Sequence, residues 1–535
     1  MTRRSSVAVP FVAALALGAC AAPVSNTLSS TASPVPGAGS GAAMAASGAS
    51  ALEAAAATIK PADFFARISF LASDALRGRD TPSPGLESAA EYMVDHYRRL
   101  GLEPAGENGT YFQWYPYPMR RLTAAGARLV VAGANGQRQT LQLGRDFFTR
   151  GGTTADLSGG LVFVGQSGFG EAGSLRDRVA VAALPGPGNR DWRLLRNRQV
   201  TGAQRAGATA LIHVLDAVWS ADSIAKYAQQ SQQPTRSLGG AIAYPEFYVT
   251  QDAARRMFAA GGVAFEQAWS GAAATDFRPV PLAGVTVTAA SPQESVDQGR
   301  APNVVAVLRG SDPVLRNEYV VLSAHMDHVG VGRPDARGDS IYNGADDDAS
   351  GTAALAEVAE AFASMPTRPR RSIVFLDVSG EEKGLIGSEW FSDHPTLPLA
   401  QIVADVNVDM IGRNSPDSIV VIGKNYSSLG GVVNAMRTRH PEIGLIAADD
   451  IWPQERFFFR SDHFNFARKE VPAIFFFSGV HEDYHRPSDE VSKIDTQKAT
   501  RVARYIFYTV NEIANADQRP QWDPKGLEEV RALTR

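Results

Sequence analysis

The sequence predicts an α/β fold, a mostly parallel twisted sheet covered by helices, with a β-rich domain inserted into it. Three observations predict this. From Pro302 onward, strand-like apolar runs alternate with helical ones, the rhythm of βαβ units. Between about 152 and 290 that rhythm gives way to short strands parted by Gly- and Pro-rich turns. At 535 residues the chain is also too long for a single hydrophobic core. Its composition, 44% hydrophobic and 20% charged, is that of a globular protein. A formal net charge of -4 points to neither nucleic-acid nor polybasic membrane binding.

Residues 1–20 read as an export signal and not as part of the fold. Arg3 and Arg4 form a charged start, and the apolar stretch 7–17 is too short to span a bilayer. It ends in Leu17-Gly18-Ala19-Cys20, which resembles a bacterial lipobox. That resemblance implies cleavage before Cys20, the chain's single cysteine, and lipidation of its thiol. Ala21 follows where an Asp would signal retention, so the resemblance implies the outer membrane, on either face. One cysteine allows no disulfide within a mature chain, so stability must come from packing and metal. Residues 21–56, rich in Ala, Ser, Gly, Pro and Thr, predict a flexible tether.

Residues 57–150 and 291–515 are assigned to one main domain, 151–290 to the insert, and 516–535 to a C-terminal tail. The first section opens with helical spacing from Ile59 to Leu102, stopped by Gly101, and 127–150 alternates like short strands. In the insert, strands are expected at 160–165, 178–184 and 210–215, with a helix near 196–206. His213 stands alone in an apolar strand and reads as a structural histidine. The insert as a whole resembles a protease-associated domain. Beyond it, strands are expected at 304–308, 319–323, 372–377, 403–408, 418–422 and 471–477, with a helix over 352–363.

The chemistry-bearing residues cluster where these strands stop. His325 and Asp327 follow 319–323. Asp346-Asp347-Asp348 precede the helix at 352, Glu381-Glu382 follow 372–377, Asp409 follows 403–408, and His485 lies beyond 471–477. Open α/β sheets bind ligands at the carboxyl ends of their strands. Three consecutive acids can cap a helix, but they repel one another unless a cation neutralises them. One carboxylate bridging through both oxygens could hold two ions about 3.5–4 Å apart. Two imidazoles with three carboxylates suit a pair of zinc ions. Of the adjacent glutamates, one can bind metal while the other accepts a proton. Asp327 could orient the His325 ring through its second nitrogen. His481-Glu482-Asp483-Tyr484-His485 matches the His-Glu-x-x-His pattern of single-zinc proteases. That chemistry requires a helix, and Ser478-Gly479 before it and Arg486-Pro487 after it argue against one.

Taken in order, these motifs resemble peptidase family M28, chiefly its co-catalytic zinc aminopeptidases, over about 300–515 and the N-terminal helical section, around the inserted domain. They are Ala324 to Asp327, Gly344 to Gly351, Gly380 to Ser388, Asn407 to Gly412, Arg460 to His463, and Glu482 to His485. The resemblance implies two zinc ions, one held by His325 and Asp409, the other by Glu382 and His485, with Asp347 bridging. It implies Glu381 as general base, Asp327 as partner of His325, Tyr484 as donor to the oxyanion, and Arg460 near the substrate. The reaction expected is removal of N-terminal residues from peptides. Within the same fold, a glutamate carboxypeptidase or a glutaminyl cyclase is an alternative. Outside enzymes, a catalytically inactive surface binding module is another, and the motifs, complete at every metal position, weigh against it.

Overall fold

Val-, Ile- and Phe-rich runs form the centre of a nine-stranded sheet in the computed structural model, which describes residues 51–186, 192–240 and 243–534. Four neighbouring parallel strands make its middle, in the order Ser372–Val378, Tyr319–His325, Ile402–Val408 and Ala473–Phe477. All four are buried along their length, as strands covered on both faces must be. The flanks depart from the parallel expectation: Arg300–Leu308 and Ser418–Ile422 join antiparallel on opposite sides. Helices Pro61–Leu71, Ala349–Ser364 and Thr496–Asn515 pack together over one face. A second apolar cluster, including Phe391 and Phe466 on helices Ile386–Asp393 and His463–Ala467, covers the other. The α/β fold read from the sequence is the fold observed.

The inserted domain is larger than its composition suggested. Its eight-stranded sheet includes Arg128–Ala132, Arg138–Leu141 and Phe147–Arg150, which the sequence reading placed in the main domain. Arg128–Ala132 pairs with Val280–Ala290 at the far end of the insert, a long-range contact that local alternation cannot reveal. The domain also carries helices Ala221–Ser231, Gln251–Ala260 and Phe265–Ser270 that were not anticipated. A three-stranded sheet of Met119–Leu122, Gln293–Asp297 and Thr235–Arg236 lies where the chain enters and leaves the insert. His213 is structural, as expected: Nδ1 lies 2.9 Å from Gln199 Oε1 and Nε2 lies 3.0 Å from Glu246 Oε2, deep in the domain.

Two further boundaries move. The signal segment, Cys20 and the tether up to residue 50 lie outside the described residues, but 51–56 are helical, and Ala55 and Ala56 are buried in the main core. Small alanines fit a tight helix contact, so an alanine-rich composition was misread there as tether. The supposed tail holds helix Pro524–Thr534, which buries Val530 among Phe457, Phe458 and Phe477.

Candidate active site

The carboxyl ends of the four parallel strands converge, and each delivers a polar group. Tyr319–His325 ends in His325 itself. Ser372–Val378 leads into the short turn Glu381–Lys383, Ile402–Val408 into Asp409, and Ala473–Phe477 into the loop carrying Tyr484 and His485. Gly380 at the head of the glutamate turn has φ +73, a conformation that side chains disfavour. Gly344 has φ +59, and a Cβ there would lie 2.2 Å from the carbonyl oxygen of Asp347 and 2.5 Å from the His328 ring.

The three consecutive acids divide their work. Asp348 caps helix Ala349–Ser364, accepting from Gly351 N at 2.8 Å, and also accepts from Met410 N at 3.0 Å. Asp346 accepts from Gly412 N at 2.6 Å. Asp347 alone faces the centre. Its Oδ1 lies 3.3 Å from Nε2 of His325, which is itself 3.6 Å from Asp409 Oδ1. Its Oδ2 lies 3.2 Å from Nε2 of His485, which is 3.0 Å from Glu382 Oε2. The two oxygens of one carboxylate thus face two separate imidazole–carboxylate pairs. The backbone N–H groups of Asp346 and Asp347 donate to buried Asp489, which fixes this loop from behind.

A histidine that the sequence reading passed over joins the second pair. His328 is fully buried, with Nδ1 2.8 Å from Glu382 Oε1 and 3.6 Å from Asp347 Oδ2. It follows Asp327 directly, and a second imidazole three residues after His325 was the available signal. Groups capable of holding a metal ion are His325, Asp347 and Asp409 on one side, and His328, Asp347 and Glu382 on the other.

Several of these side-chain atoms have no other partner. His325 Nε2, Asp347 Oδ2, Glu382 Oε1, Asp409 Oδ1 and His485 Nε2 are buried without a hydrogen-bond partner although they lie close together. Buried polar atoms rarely stay unpaired. Burial alone would lower the pKa of His485, yet Asp347 and Glu382 raise it to about 10. His325 is likewise raised, Asp409 foremost among the groups opposing its burial. Such a field attracts a proton or a metal ion to the same nitrogens.

Glu381 is half-buried and lines the same cleft, its carboxyl pushed well above the ordinary range by burial and by nearby Asp409, Asp462 and Glu382. Asp327 partners His325 differently from expectation. Nδ1 of His325 lies 3.1 Å from the carbonyl oxygen of Asp327 and 3.7 Å from its carboxylate, which accepts from Glu381 N at 3.2 Å. Tyr484 stacks on His485 with ring centroids 3.9 Å apart. Arg460 lies over the Phe457 ring and 3.4 Å from Glu455, at the cleft's rim. The His-Glu-x-x-His segment is a run of turns: His485 joins the cluster, His481 faces Asp346 at 3.4 Å, and Glu482 is exposed.

Residues 303–510 match the model of peptidase family M28. That stretch is similar to the M28 peptidases. The matched stretch begins in the antiparallel flank strand and ends in helix Thr496–Asn515, so it contains every strand end described above. A "Probable zinc metalloprotease" of Pyrenophora tritici-repentis is 25% identical over 281 residues, 42% of this chain and 63% of that protein. "Aminopeptidase YwaD" of Bacillus subtilis is 23% identical over 227 residues, 41% of this chain and 46% of that protein. The chain therefore spans less than two thirds of these curated relatives. An aminopeptidase from Aneurinibacillus sp. strain AM-1 superposes with a TM-score of 0.45 at 18% identity, covering 88% of this chain and 97% of that one.

Proposed function

We propose that this protein is a two-zinc aminopeptidase. One observation carries the reading: the two oxygens of Asp347 face separate imidazole–carboxylate pairs, and the donor atoms around them lack other partners. His325 and Asp409 would hold one ion, Glu382 and His485 the other, and His328 adds a further nitrogen on the second side. Bound there, the zinc pair would bring a water's pKa toward neutrality and polarise the scissile carbonyl.

The remaining steps belong to the chain. Glu381 takes a proton from the attacking water as its oxygen bonds to the carbonyl carbon. The same carboxyl delivers that proton to the amine nitrogen as the C–N bond breaks. Tyr484 donates to the oxygen that gains charge. Met410, Phe457, Phe475, Phe477 and Val480 wall the cleft beside these acids and suit an apolar side chain at the cleaved residue. The carboxylates favour a free α-amine next to that pocket, which selects the first residue of a peptide.

The protease-associated reading of the inserted domain and the export and lipid anchoring of the chain at Cys20 rest on sequence resemblance, and we propose them on that basis. The deciding experiment for the activity assays aminoacyl anilides, N-blocked peptides and peptides ending in glutamate on one metal-analysed sample. Two zinc ions per chain and cleavage of unblocked apolar substrates are expected. Preference for C-terminal glutamate would favour the carboxypeptidase reading, and a single ion the cyclase.

A further inference from the structure

Arg79 lies far in sequence from every acid and imidazole of the site, yet it holds two of their loops. It is 1% exposed and has no ion-pairing carboxylate among the described residues. Its guanidinium is spent on backbone carbonyls instead. Nε donates to Met326 O at 2.8 Å, Nη1 to Asn343 O at 2.8 Å and also to Leu71 O, and Nη2 to Gly344 O at 3.0 Å. Met326 lies between His325 and Asp327, and Asn343 and Gly344 lead into Asp347.

The backbone around Arg79 reinforces the clip. The carbonyl oxygens of Gly78 and Arg79 accept from Gly330 N at 3.0 Å and His328 N at 3.3 Å. Thr81 Oγ1 accepts from Gly380 N at 3.1 Å, and Asp80 pairs with Lys383 across the glutamate turn. One short stretch of chain thus touches the loops of His325, Asp347 and Glu381–Glu382. Arg77, Gly78 and Arg79 all have positive φ, of 48, 68 and 48. Such backbone persists only where its surroundings over-determine it. A Cβ at Gly78 would lie 2.4 Å from Tyr342 O and 2.5 Å from Gly330 O.

A buried cation without a paired anion is costly. Here carbonyl dipoles and the field of Asp327, Asp347, Asp348 and Asp489 hold it. Burial lowers the guanidinium pKa to about 10 against those acids, which leaves it charged at neutral pH. A lysine would supply a point charge but not a planar fork spanning several carbonyls.

We propose that Arg79 is a positioning residue for the metal centre, setting the spacing of the His325 and Asp347 loops and offsetting part of their negative charge. This inference rests on the dinuclear reading above. The test uses the full chain, with zinc affinity read by competition against a chromophoric chelator and thermal unfolding read in excess chelator. Arg79→Met and Arg79→Lys are compared with Arg67→Met. Arg67 is a second buried arginine, on helix Pro61–Leu71, bonded to Glu357 and Glu360 and away from the ligand loops.

Arg79→Met is expected to weaken zinc binding about 10- to 100-fold, with Arg79→Lys in between. Arg67→Met should melt earlier and keep the zinc affinity of the unaltered chain. Unchanged affinity in the Arg79 variants overturns the proposal. So does an equal loss in Arg67→Met, or failure of both Arg79 variants to fold where Arg67→Met folds. An unaltered chain that binds no zinc removes the dinuclear reading, and this inference with it.

Discussion

The carboxylate of Asp327 accepts the backbone N–H of Glu381 at 3.2 Å, while the carbonyl oxygen of the same residue lies 3.1 Å from Nδ1 of His325. One residue therefore orients a candidate metal ligand with its backbone and the candidate base with its side chain. The base is separable from the metal site. Glu381→Gln should bind both zinc ions and lose about 10²- to 10⁴-fold in kcat, the range of a general base. Zinc analysis and steady-state kinetics on the same preparation check this, and wild-type turnover would remove Glu381 from the mechanism. Asp327→Asn keeps an oxygen for the Glu381 N–H and should lose less activity than Asp327→Ala.

A carboxylate shared by two ions would make metal loss asymmetric. Asp347→Ala removes the oxygen facing each pair and should strip both ions. Asp409→Ala should lose the ion at His325, and Glu382→Ala the ion at His485. His328→Ala should weaken only the Glu382 side, since that is the side its Nδ1 reaches. Zinc per chain measured after dialysis distinguishes these. Strong chelators should abolish activity in the unaltered protein, and added zinc or cobalt should restore it. Equal zinc retention in Asp347→Ala and Asp409→Ala would contradict the bridging geometry.

Glu482 separates this chemistry from a single-zinc protease. On a helix, the Glu of His-Glu-x-x-His would reach the attacking water. Here the segment turns and Glu482 points to solvent. Glu482→Gln should leave kcat and KM within about twofold, as an exposed substitution with no mechanism for damage. A loss comparable to that of Glu381→Gln would revive the rival reading.

Much of this site was legible because strand ends announce themselves. Buried parallel strands are continuous apolar runs, so His325, Glu381 and Asp409 stand out where those runs stop. What escaped was non-local. Strand Arg128–Ala132 belongs to the insert because it pairs with Val280–Ala290, and no local pattern encodes a partner so far along the chain. The antiparallel flanks escaped because a buried strand reads the same in either direction. His328 escaped because the preceding motif ended at Asp327. Arg79 carries no motif at all: its role is visible only through the carbonyls it touches.

Asp377 gives the fold a pH dependence independent of metal. It sits inside a central strand, fully buried, and accepts from Tyr97 through Oδ2 at 2.8 Å while Oδ1 has no partner. Burial raises its pKa from 3.8 to about 8, outweighing the Tyr97 hydrogen bond. Between those values the folded chain keeps a proton that the unfolded chain releases. Stability then falls as pH rises through this window, by at most about 1.4 kcal/mol per pH unit from this group. Below the window both states are protonated and the penalty is absent; above it both are ionised and the penalty is constant. Asp377→Asn cannot ionise, and its amide oxygen can still accept from Tyr97. The variant should therefore gain stability relative to the unaltered chain at pH 8 and little at pH 4. Asp405, raised by burial in the same direction, remains and keeps part of the slope. Chemical denaturation of the metal-free protein across this range checks the difference, and parallel stability curves for the two chains would show that Asp377 is ionised in the fold.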